Sequence, residues 1–283
     1  MPRIKVSACS ANFGHEDLFR VVDRLAEHGF DGVEITVMYH AVPSETSGQR
    51  RNEIRRYLAS KGLEISGLHF IFPGGMKMAS DDANERQRVA DHMVSVLELA
   101  ADLHAPVVVI GGGGVRSIPE SMDRSAGLDR VLGVYEGTVR RGERLGVLAG
   151  FEALNRYETN LGHTLEECCG YVERIGSPVL KVVGDTFHMN IEEASLPGAI
   201  EKAGACLAHL HLPDSHRLAP GDGHIDFPPI FDALRRIGYS GYVSFEFFWI
   251  SPRLAYLPTF EACDAEVRKG LECLRRLGML NRE

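Results

Sequence analysis

An eightfold alternation of strand-like and helix-like segments constrains this chain more than any other feature. Short apolar runs alternate with amphipathic segments whose apolar residues recur at helical spacing. The first pair is a predicted strand over Ile4–Ala11 and a predicted helix over Asp17–Gly29, which closes on a glycine. Such alternation implies a parallel sheet with helices outside it. Eight units in 283 residues favour an α/β fold, a closed (β/α)8 TIM barrel, over an open doubly wound sheet, and we predict a single domain over residues 1–283.

The remaining predicted elements follow the same order. The further strands are predicted at Gly32–Val37, Glu64–Ile71, Ala105–Ile110, Val147–Leu154, Val179–Gly184, Leu207–Leu212 and Gly241–Phe248. The further helices are predicted at Gln49–Lys61, Asn84–Leu103, Leu128–Leu145, Thr164–Ile175, Glu193–Ala203, Phe227–Ile237 and Phe260–Leu277. The longest irregular stretches follow strands, on the barrel face where substrates bind, and they are Met38–Ser47, Pro73–Asp82, Gly111–Ala126 and Pro213–Ile225.

Charge and hydropathy exclude several classes of protein. The formal net charge of −8 argues against a nucleic-acid-binding face, which would be basic. The chain has no run of 18 apolar residues and no apolar signal-peptide segment behind its first residues, so we expect no membrane span. The 6 cysteines lack the spacing of a metal site, which favours reduced thiols and a cytoplasmic protein.

Ionisable residues end four consecutive predicted strands: Glu152, Asp185, His211 and Glu246. Because consecutive strand ends are neighbours around a barrel rim, these side chains are expected to converge. Three carboxylates and an imidazole at one point repel one another unless a cation lies among them. Each residue alone is more typical of a structural ion pair, but the four together favour a metal site for Mn2+, Mg2+ or Co2+. His209 shares the strand face of His211 and is the alternative ligand, deeper in the barrel.

Two longer motifs carry a resemblance to a known family. The segments Glu152–Glu158 and Asp185–Glu193, together with His211, His216-Arg217 and Glu246, resemble the ketose 3-epimerases. That family includes the D-tagatose and D-psicose 3-epimerases, within the xylose-isomerase-like barrels. The likeness is dense over residues 147–248 and weaker elsewhere.

The resemblance implies a role for each site residue. It implies that one divalent metal ion, usually Mn2+ with Mg2+ or Co2+ as alternatives, is bound by Glu152, Asp185, His211 and Glu246. It implies that the sugar is contacted by Glu158, His188 and Arg217. It also implies that Glu152 and Glu246 are the acid–base pair, which removes the C3 proton of a free ketohexose or ketopentose and returns it through a cis-enediolate.

The sequence departs from the family pattern at two places. Pro213-Asp214-Ser215 stands where the family carries Gly-Glu, and Gly184 stands where a larger apolar residue is usual. Both departures are expected to bear on substrate shape. The glycine run at residues 111–114 lacks the pattern of a phosphate-binding loop, so it predicts a flexible rim loop with Arg116 as a candidate substrate contact.

The apolar segment Phe247–Ile250 follows the last strand, where phosphate-binding barrels carry glycines, so an unphosphorylated sugar is expected. These aromatic residues are more typical of packing at a subunit contact than of stacking on a sugar. With the last helix they lead us to expect a homo-oligomer, a dimer or tetramer. His69 and Cys9 end the third and first strands and are expected in the pocket wall.

Three other functions compete with this interpretation. A metal-dependent lyase, dehydratase or isomerase acting on a keto-sugar, keto-inositol or 3-keto-glycoside would use the same site and the same proton abstraction. The acidic balance and the single metal constellation disfavour a DNA-cleaving barrel with several zinc ions. Intact Glu152 and Glu246 disfavour a non-catalytic subunit, and a catalytic subunit that needs an obligate partner stays an open alternative.

Overall fold

Eight parallel strands close into a barrel in chain order, as the sequence predicts. The structure is a computed structural model that describes residues 3–247 and 259–280. Each strand pairs with the next, and the last pairs with the first through the register Val6 to Val243. The strands are β1 Lys5–Cys9, β2 Gly32–Thr36, β3 Glu64–His69, β4 Val107–Ile110, β5 Leu148–Glu152, β6 Leu180–Asp185, β7 Leu207–His211 and β8 Tyr242–Phe245. The last predicted strand is thus shorter than expected, and Phe248, its predicted end, lies outside the described residues.

Helices cover the outside of the barrel and bury its outward apolar side chains. Phe151 of β5, for example, packs its ring 4.7 Å from the ring of Tyr135 and 5.7 Å from that of Tyr171. The helices of the described part are α1 Leu18–His28, α2 Val37–His40, α3 Gly48–Ser60, α4 Ala83–Leu103, α5 Gly113–Arg116, α6 Arg124–Gly142, α7 Leu165–Ile175, α8 Thr186–Glu192, α9 Leu196–Ala203, α10 Phe227–Arg236 and α11 Phe260–Arg276. None of the helices that the structure describes is both long and apolar enough to span a bilayer.

Capping side chains explain where two helix predictions were wrong. The α6 helix begins at Arg124 instead of Leu128, because the Asp123 carboxylate accepts the backbone N–H of Ala126 at 2.9 Å. The α9 helix begins at Leu196 instead of Glu193, because Ser195 is its N-cap and Pro197 follows at an early position where proline is tolerated.

The short α8 helix, which follows β6 without a loop, was not predicted. The next helix was expected to begin at Glu193, but α8 already begins at Thr186 and ends at Glu192. Its cause is Asp185, whose Oδ1 accepts the backbone N–H groups of Phe187 at 2.7 Å and His188 at 3.1 Å. The short helix α5 likewise lies in a stretch predicted to be irregular. The short helix α2 does so except for Val37, the predicted end of the second strand.

The barrel interior has little free space around Gly150 of β5. A Cβ atom added there would stand 2.4 Å from Cγ2 of Val183 on β6 and 3.3 Å from the backbone oxygen of Val108 on β4. The glycine therefore lets Val183 occupy the interior layer, as close packing requires.

We predict opposite effects for two glycine-to-alanine substitutions. Gly150→Ala overpacks the barrel and should lower the free energy of unfolding by about 1–3 kcal/mol. Gly133→Ala, at an exposed α6 position with no heavy atom within 4 Å, should raise it by about 0.5–1 kcal/mol. Urea unfolding followed by circular dichroism measures both values. Equal stabilities for the two variants would contradict the interior packing described above.

Candidate active site

The four residues predicted as metal ligands meet at the C-terminal end of the barrel. Glu152, Asp185 and His211 are the last residues of β5, β6 and β7, and Glu246 directly follows β8. One potential ligand atom from each lies within 4.8 Å of the others. All four side chains are buried. The structure thus brings together the constellation that the strand ends predicted.

The imidazole of His211 faces three carboxylates with one nitrogen. Its Nδ1 lies 2.8 Å from Glu246 Oε2, 3.1 Å from Glu152 Oε1 and 4.0 Å from Asp185 Oδ2. Burial lowers the pKa of His211, but the surrounding carboxylates, Glu246 foremost, raise it well above its ordinary value. The cluster therefore favours positive charge at Nδ1.

Two buried carboxylate oxygens of the cluster, Asp185 Oδ2 and Glu246 Oε2, receive no well-aligned hydrogen bond within the residues that the structure describes. Glu246 Oε2 has the ion-pair contact with His211 Nδ1, and Asp185 Oδ2 lies 4.0 Å from the same nitrogen. Burial, followed by the neighbouring Glu246 charge, raises the pKa of Asp185 well above its usual range. Unpaired buried carboxylate oxygens are destabilising unless a cation binds them. Three carboxylates and one imidazole nitrogen fit a divalent cation that prefers oxygen ligands.

Glu34, a fully buried carboxylate in the middle of β2, was not predicted as a site residue. Both of its oxygens lie 3.2 Å from His211 Nε2, and Ser244 Oγ donates to Oε2 at 2.8 Å. His209 Nε2 also lies 3.2 Å from Glu34. His209, the alternative ligand, thus contacts Glu34, and the four-residue cluster contains His211 instead. The available signal was one charged residue in the otherwise uncharged strand Gly-Val-Glu-Ile-Thr.

The three predicted substrate contacts lie side by side at the mouth of the site. Arg217 Nη1 donates to Glu158 Oε1 at 2.8 Å, and its Nη2 lies 3.3 Å from His188 Nε2. Its guanidinium carbon stands 4.9 Å from the centre of the Phe187 ring. Arg217 also has the uncommon φ of +66°. It is therefore held in place and is not a solvated loop cation.

Hydrogen bonds determine which nitrogen of His188 carries its proton. Nδ1 faces two donors of Asn155, the side-chain Nδ2 at 2.6 Å and the backbone N–H at 3.4 Å. The Asn155 amide is oriented because its Oδ1 accepts the backbone N–H of Tyr157 at 2.9 Å. Burial and the Arg217 charge hold the pKa of His188 well below its ordinary value, so the ring is neutral. The shorter contact, from Asn155, needs the lone pair on Nδ1, so the proton resides on Nε2 and the 3.3 Å contact between Nε2 and Arg217 Nη2 is not a hydrogen bond.

A cavity of about 400 Å³ adjoins these residues. This volume falls in the range of small-molecule sites. Its lining combines the predicted site residues Glu152, Glu158, Arg217 and Glu246 with the segments 69–77 and 111–115.

Comparisons with known proteins agree with this geometry. The family model described as "Xylose isomerase-like TIM barrel" matches residues 22–277. A D-psicose 3-epimerase of Enterocloster bolteae is 33% identical over 230 residues, which cover 80% of this chain and 75% of that protein.

The chain belongs to the xylose isomerase-like TIM barrel family.

Two further proteins are similar to this chain. The crystal structure of D-psicose 3-epimerase with D-tagatose from Clostridium cellulolyticum H10 has a TM-score of 0.86, at 26% identity and with 96% of this chain and 99% of that chain covered. A 3-dehydro-D-guloside 4-epimerase of Escherichia coli is 28% identical over 254 residues, which cover 86% of this chain and 92% of that protein. The predicted resemblance to ketose 3-epimerases is confirmed, and the chain is an enzyme of the isomerase and epimerase class.

One of the two departures from the ketose 3-epimerase sequence pattern does not have the role that was predicted for it. Gly184 was expected to shape the substrate site, but it points away from it. A Cβ atom there would stand 2.9 Å from Leu210 Cδ1 and 3.2 Å from Met189 Sδ, in the layer between the barrel and its helices. Because side chains alternate along β6, the residue before the inward Asp185 faces outward. Gly184 therefore affects packing and not substrate shape.

The glycine run after β4 also differs from its prediction. Gly113–Arg116 forms the short α5 helix where a flexible rim loop was expected. Arg116 is fully buried, its guanidinium carbon 4.6 Å from the centre of the Phe151 ring, and its Nη2 donates to the backbone oxygen of Gly162 at 3.5 Å. It does not line the cavity, so the prediction of a substrate contact was wrong.

Two of the other predicted wall residues lie close to the cluster. His69 lines the cavity, with Nδ1 3.4 Å from Glu246 Oε1. Cys9 lies fully buried behind it, with Sγ 3.7 Å from His69 Nδ1. Phe247 is buried against Phe245, with ring centres 5.6 Å apart, so it packs in the core. The rest of the predicted aromatic segment, residues 248–250, lies outside the described residues.

Asp214 belongs to the other departure from the family pattern, and it lies in the loop that carries Arg217. The buried Asp214 carboxylate accepts the backbone N–H groups of Ser215 at 2.7 Å, Gly221 at 2.8 Å and Ile225 at 3.1 Å. Burial raises the pKa of Asp214, but these backbone donors outweigh it and hold the pKa below its ordinary value. Ionised Asp214 therefore organises the loop around Arg217.

We predict that Asp214 stabilises the fold only above moderately acidic pH. Asp214→Asn should lower the free energy of unfolding by about 1–3 kcal/mol at pH 7. Because the folded-state pKa is depressed, this difference should persist above the unfolded-state pKa of about 4 and shrink as the pH falls through the lower folded-state value.

Urea unfolding of both proteins between pH 7 and pH 3 measures this dependence. Asp222→Asn, at an exposed position in the same loop, is the matched control and should change stability by less than about 0.5 kcal/mol. A stability difference between Asp214→Asn and wild type that is constant over the whole range would contradict the role of ionised Asp214.

Proposed function

We propose that this protein is a divalent-metal-dependent epimerase that inverts C3 of a free ketohexose or ketopentose. The observation that carries the proposal is the position of Glu152 and Glu246. Both carboxylates belong to the buried cluster and both line the cavity. The similarity to D-psicose 3-epimerases supports the choice of reaction.

Glu152 and Glu246 are the proposed acid–base pair. One carboxylate removes the proton from C3, and the conjugate acid of the other returns a proton to the opposite face, through an enediolate. Gly111 keeps space for this exchange, because a Cβ atom there would stand 2.2 Å from Glu152 Oε2. A divalent cation held by Glu152, Asp185, His211 and Glu246 would withdraw electrons from the substrate oxygens and so acidify the C3 proton.

Arg217 and His188 are the proposed anchors for the sugar oxygens. The Nε2–H of neutral His188 and the guanidinium N–H groups of Arg217 lie together on one side of the cluster. They would donate to the oxygens at C1 and C2 and stabilise negative charge that develops there. Glu158 orients Arg217 through their ion pair and supplies an acceptor for a sugar hydroxyl.

Several finer features belong to the proposal. Mn2+ is the proposed metal, with Mg2+ or Co2+ as alternatives, because the donor set is rich in oxygen. We also propose a cytoplasmic homo-oligomer, a dimer or tetramer. Light scattering at micromolar concentration tests the oligomer, and a strict monomer would contradict it.

The proposed reaction predicts isotope exchange at C3. Metal-stripped protein reloaded with Mn2+ should interconvert D-fructose and D-psicose, or D-tagatose and its C3 epimer, in D2O, with deuterium at C3 of the product. Glu152→Gln and Glu246→Gln should each lower kcat/KM by a factor of about 100 to 10,000. Each variant should retain C3 exchange for the one epimer whose proton faces the remaining carboxylate.

Nuclear magnetic resonance of the sugars and metal analysis of each protein provide the readouts. Glu120→Gln, at an exposed position, is the matched control and should react as wild type does. Metal-replete protein that epimerises these sugars without deuterium at C3 would contradict the proton-transfer mechanism. Complete inactivity of the wild type would instead favour the second candidate.

A second candidate is 4-epimerisation or elimination on a 3-keto-glycoside or related keto-sugar. The observation that favours it is the similarity to a 3-dehydro-D-guloside 4-epimerase over 92% of that protein, together with the cavity of about 400 Å³. Abstraction of a proton beside a ketone serves both reactions.

Mass spectrometry separates these possibilities. If free ketoses are the substrates, as we predict, a methyl 3-keto-glucoside should react at least about 100-fold more slowly, a discrimination of about 3 kcal/mol. A faster reaction with unchanged mass would favour 4-epimerisation. A faster reaction with loss of the leaving group would favour the lyase.

A further inference from the structure

Glu34 is a buried carboxylate for which the proposed reaction has no direct use. It lies on β2, away from the four strands that supply the cluster, and it has no exposed surface. Burying an ionised carboxylate is costly unless donors surround it. Here His211 Nε2 approaches both oxygens at 3.2 Å, and Ser244 Oγ donates at 2.8 Å.

The surrounding strands leave space for this carboxylate. Gly67 on the adjacent strand β3 has no side chain, and a Cβ atom added there would stand 3.4 Å from Glu34 Oε1 and 3.1 Å from Val107 Cγ1. His209 Nε2 lies 3.2 Å from the same Glu34 oxygen. Glu34 is therefore confined on several sides, with His211 as its contact to the cluster.

The contact has a consequence for the proton on His211. An ionised carboxylate only accepts hydrogen bonds, so the nitrogen that faces Glu34 carries the proton. In the metal-free cluster the carboxylates also favour a proton on Nδ1, and a divalent cation bound among them would replace that proton. The imidazole then has one N–H group, on Nε2, and its lone pair remains on Nδ1. Nδ1 is the nitrogen that faces Glu246, Glu152 and Asp185 at 2.8, 3.1 and 4.0 Å.

We propose that Glu34 is a positioning residue that makes Nδ1 of His211 the metal-binding nitrogen. It does so by accepting the Nε2–H hydrogen bond, which selects the tautomer, orients the ring and makes Nδ1 more basic. The opposite tautomer would place a lone pair against the Glu34 carboxylate and a proton inside the cluster. This inference rests on the metal site of the proposed function, but it does not depend on which sugar reacts.

Substitution of Glu34 should weaken metal binding although it changes none of the four proposed metal-binding residues. Glu34→Gln keeps the shape and one acceptor, and should raise the Kd for Mn2+ about 10-fold; Glu34→Met removes the acceptor and should raise it about 100-fold. Calorimetric titration of metal-stripped protein with Mn2+ measures both values. Thermal unfolding of the metal-free proteins shows how much stability each variant loses.

Asp264→Asn is the matched control for loss of a buried carboxylate–histidine pair. Asp264 is buried, and His28 Nε2 lies 2.6 Å from its Oδ1 on the outside of the barrel. This variant should lose stability but bind Mn2+ with the wild-type Kd. If Glu34→Gln and Glu34→Met also keep that Kd, the role of Glu34 is overturned.

A measurement on the wild type keeps the proposal testable if the Glu34 variants do not fold. Nitrogen-15 NMR of the imidazoles in Mg2+-loaded protein, with His211 assigned by His211→Gln, reports which ring nitrogen carries the proton. We expect protonated Nε2 and metal-bound Nδ1; the reverse would overturn the proposal. A wild type that binds no divalent ion would overturn the metal site itself, whereas metal-binding variants indistinguishable from wild type would overturn the role of Glu34 alone.

Discussion

Repulsion among three buried carboxylates is the constraint on which the rest of the site depends. Glu152, Asp185 and Glu246 are brought together because β5, β6 and β8 end at the same rim, on either side of His211. In a buried environment such charges are tolerated only when compensating groups surround them. His211 and Arg217 supply part of that compensation, and each is held by a carboxylate outside the cluster, Glu34 and Glu158 respectively. The proposed divalent cation would supply the rest.

Two aspartates show how backbone hydrogen bonds serve the site. Asp185 uses Oδ1 to cap α8, which places His188 one turn later, while its Oδ2 remains turned toward His211. The Asp214 carboxylate accepts hydrogen bonds from backbone N–H groups of the loop that carries Arg217. In both cases a carboxylate organises the local structure that orients a side chain proposed to bind the substrate. Electrostatics and loop geometry are therefore coupled in this site.

The barrel and its four converging side chains could be predicted because both follow from regular repeats. Alternating segments indicate the fold, and the last polar residue of each strand indicates the rim. The strand-end pattern did not identify Glu34 as a site residue, because Glu34 lies in the middle of β2 and not at its end. The α8 helix, with 7 residues, is too short to show a helical period and depends on the Asp185 cap. Arg116 was misplaced because its burial against Phe151 is a tertiary contact that spacing does not reveal.

The proposed cation site consists of Nδ1 of His211 and its three carboxylate neighbours. Anomalous diffraction from crystals grown with Mn2+ locates the bound ion. We expect one strong anomalous peak per chain, within bonding distance of His211 Nδ1 and Asp185 Oδ2, with Glu34 still on the Nε2 side of the ring. A peak on the Glu34 side, or no peak at the cluster in metal-saturated crystals, would contradict the proposed site.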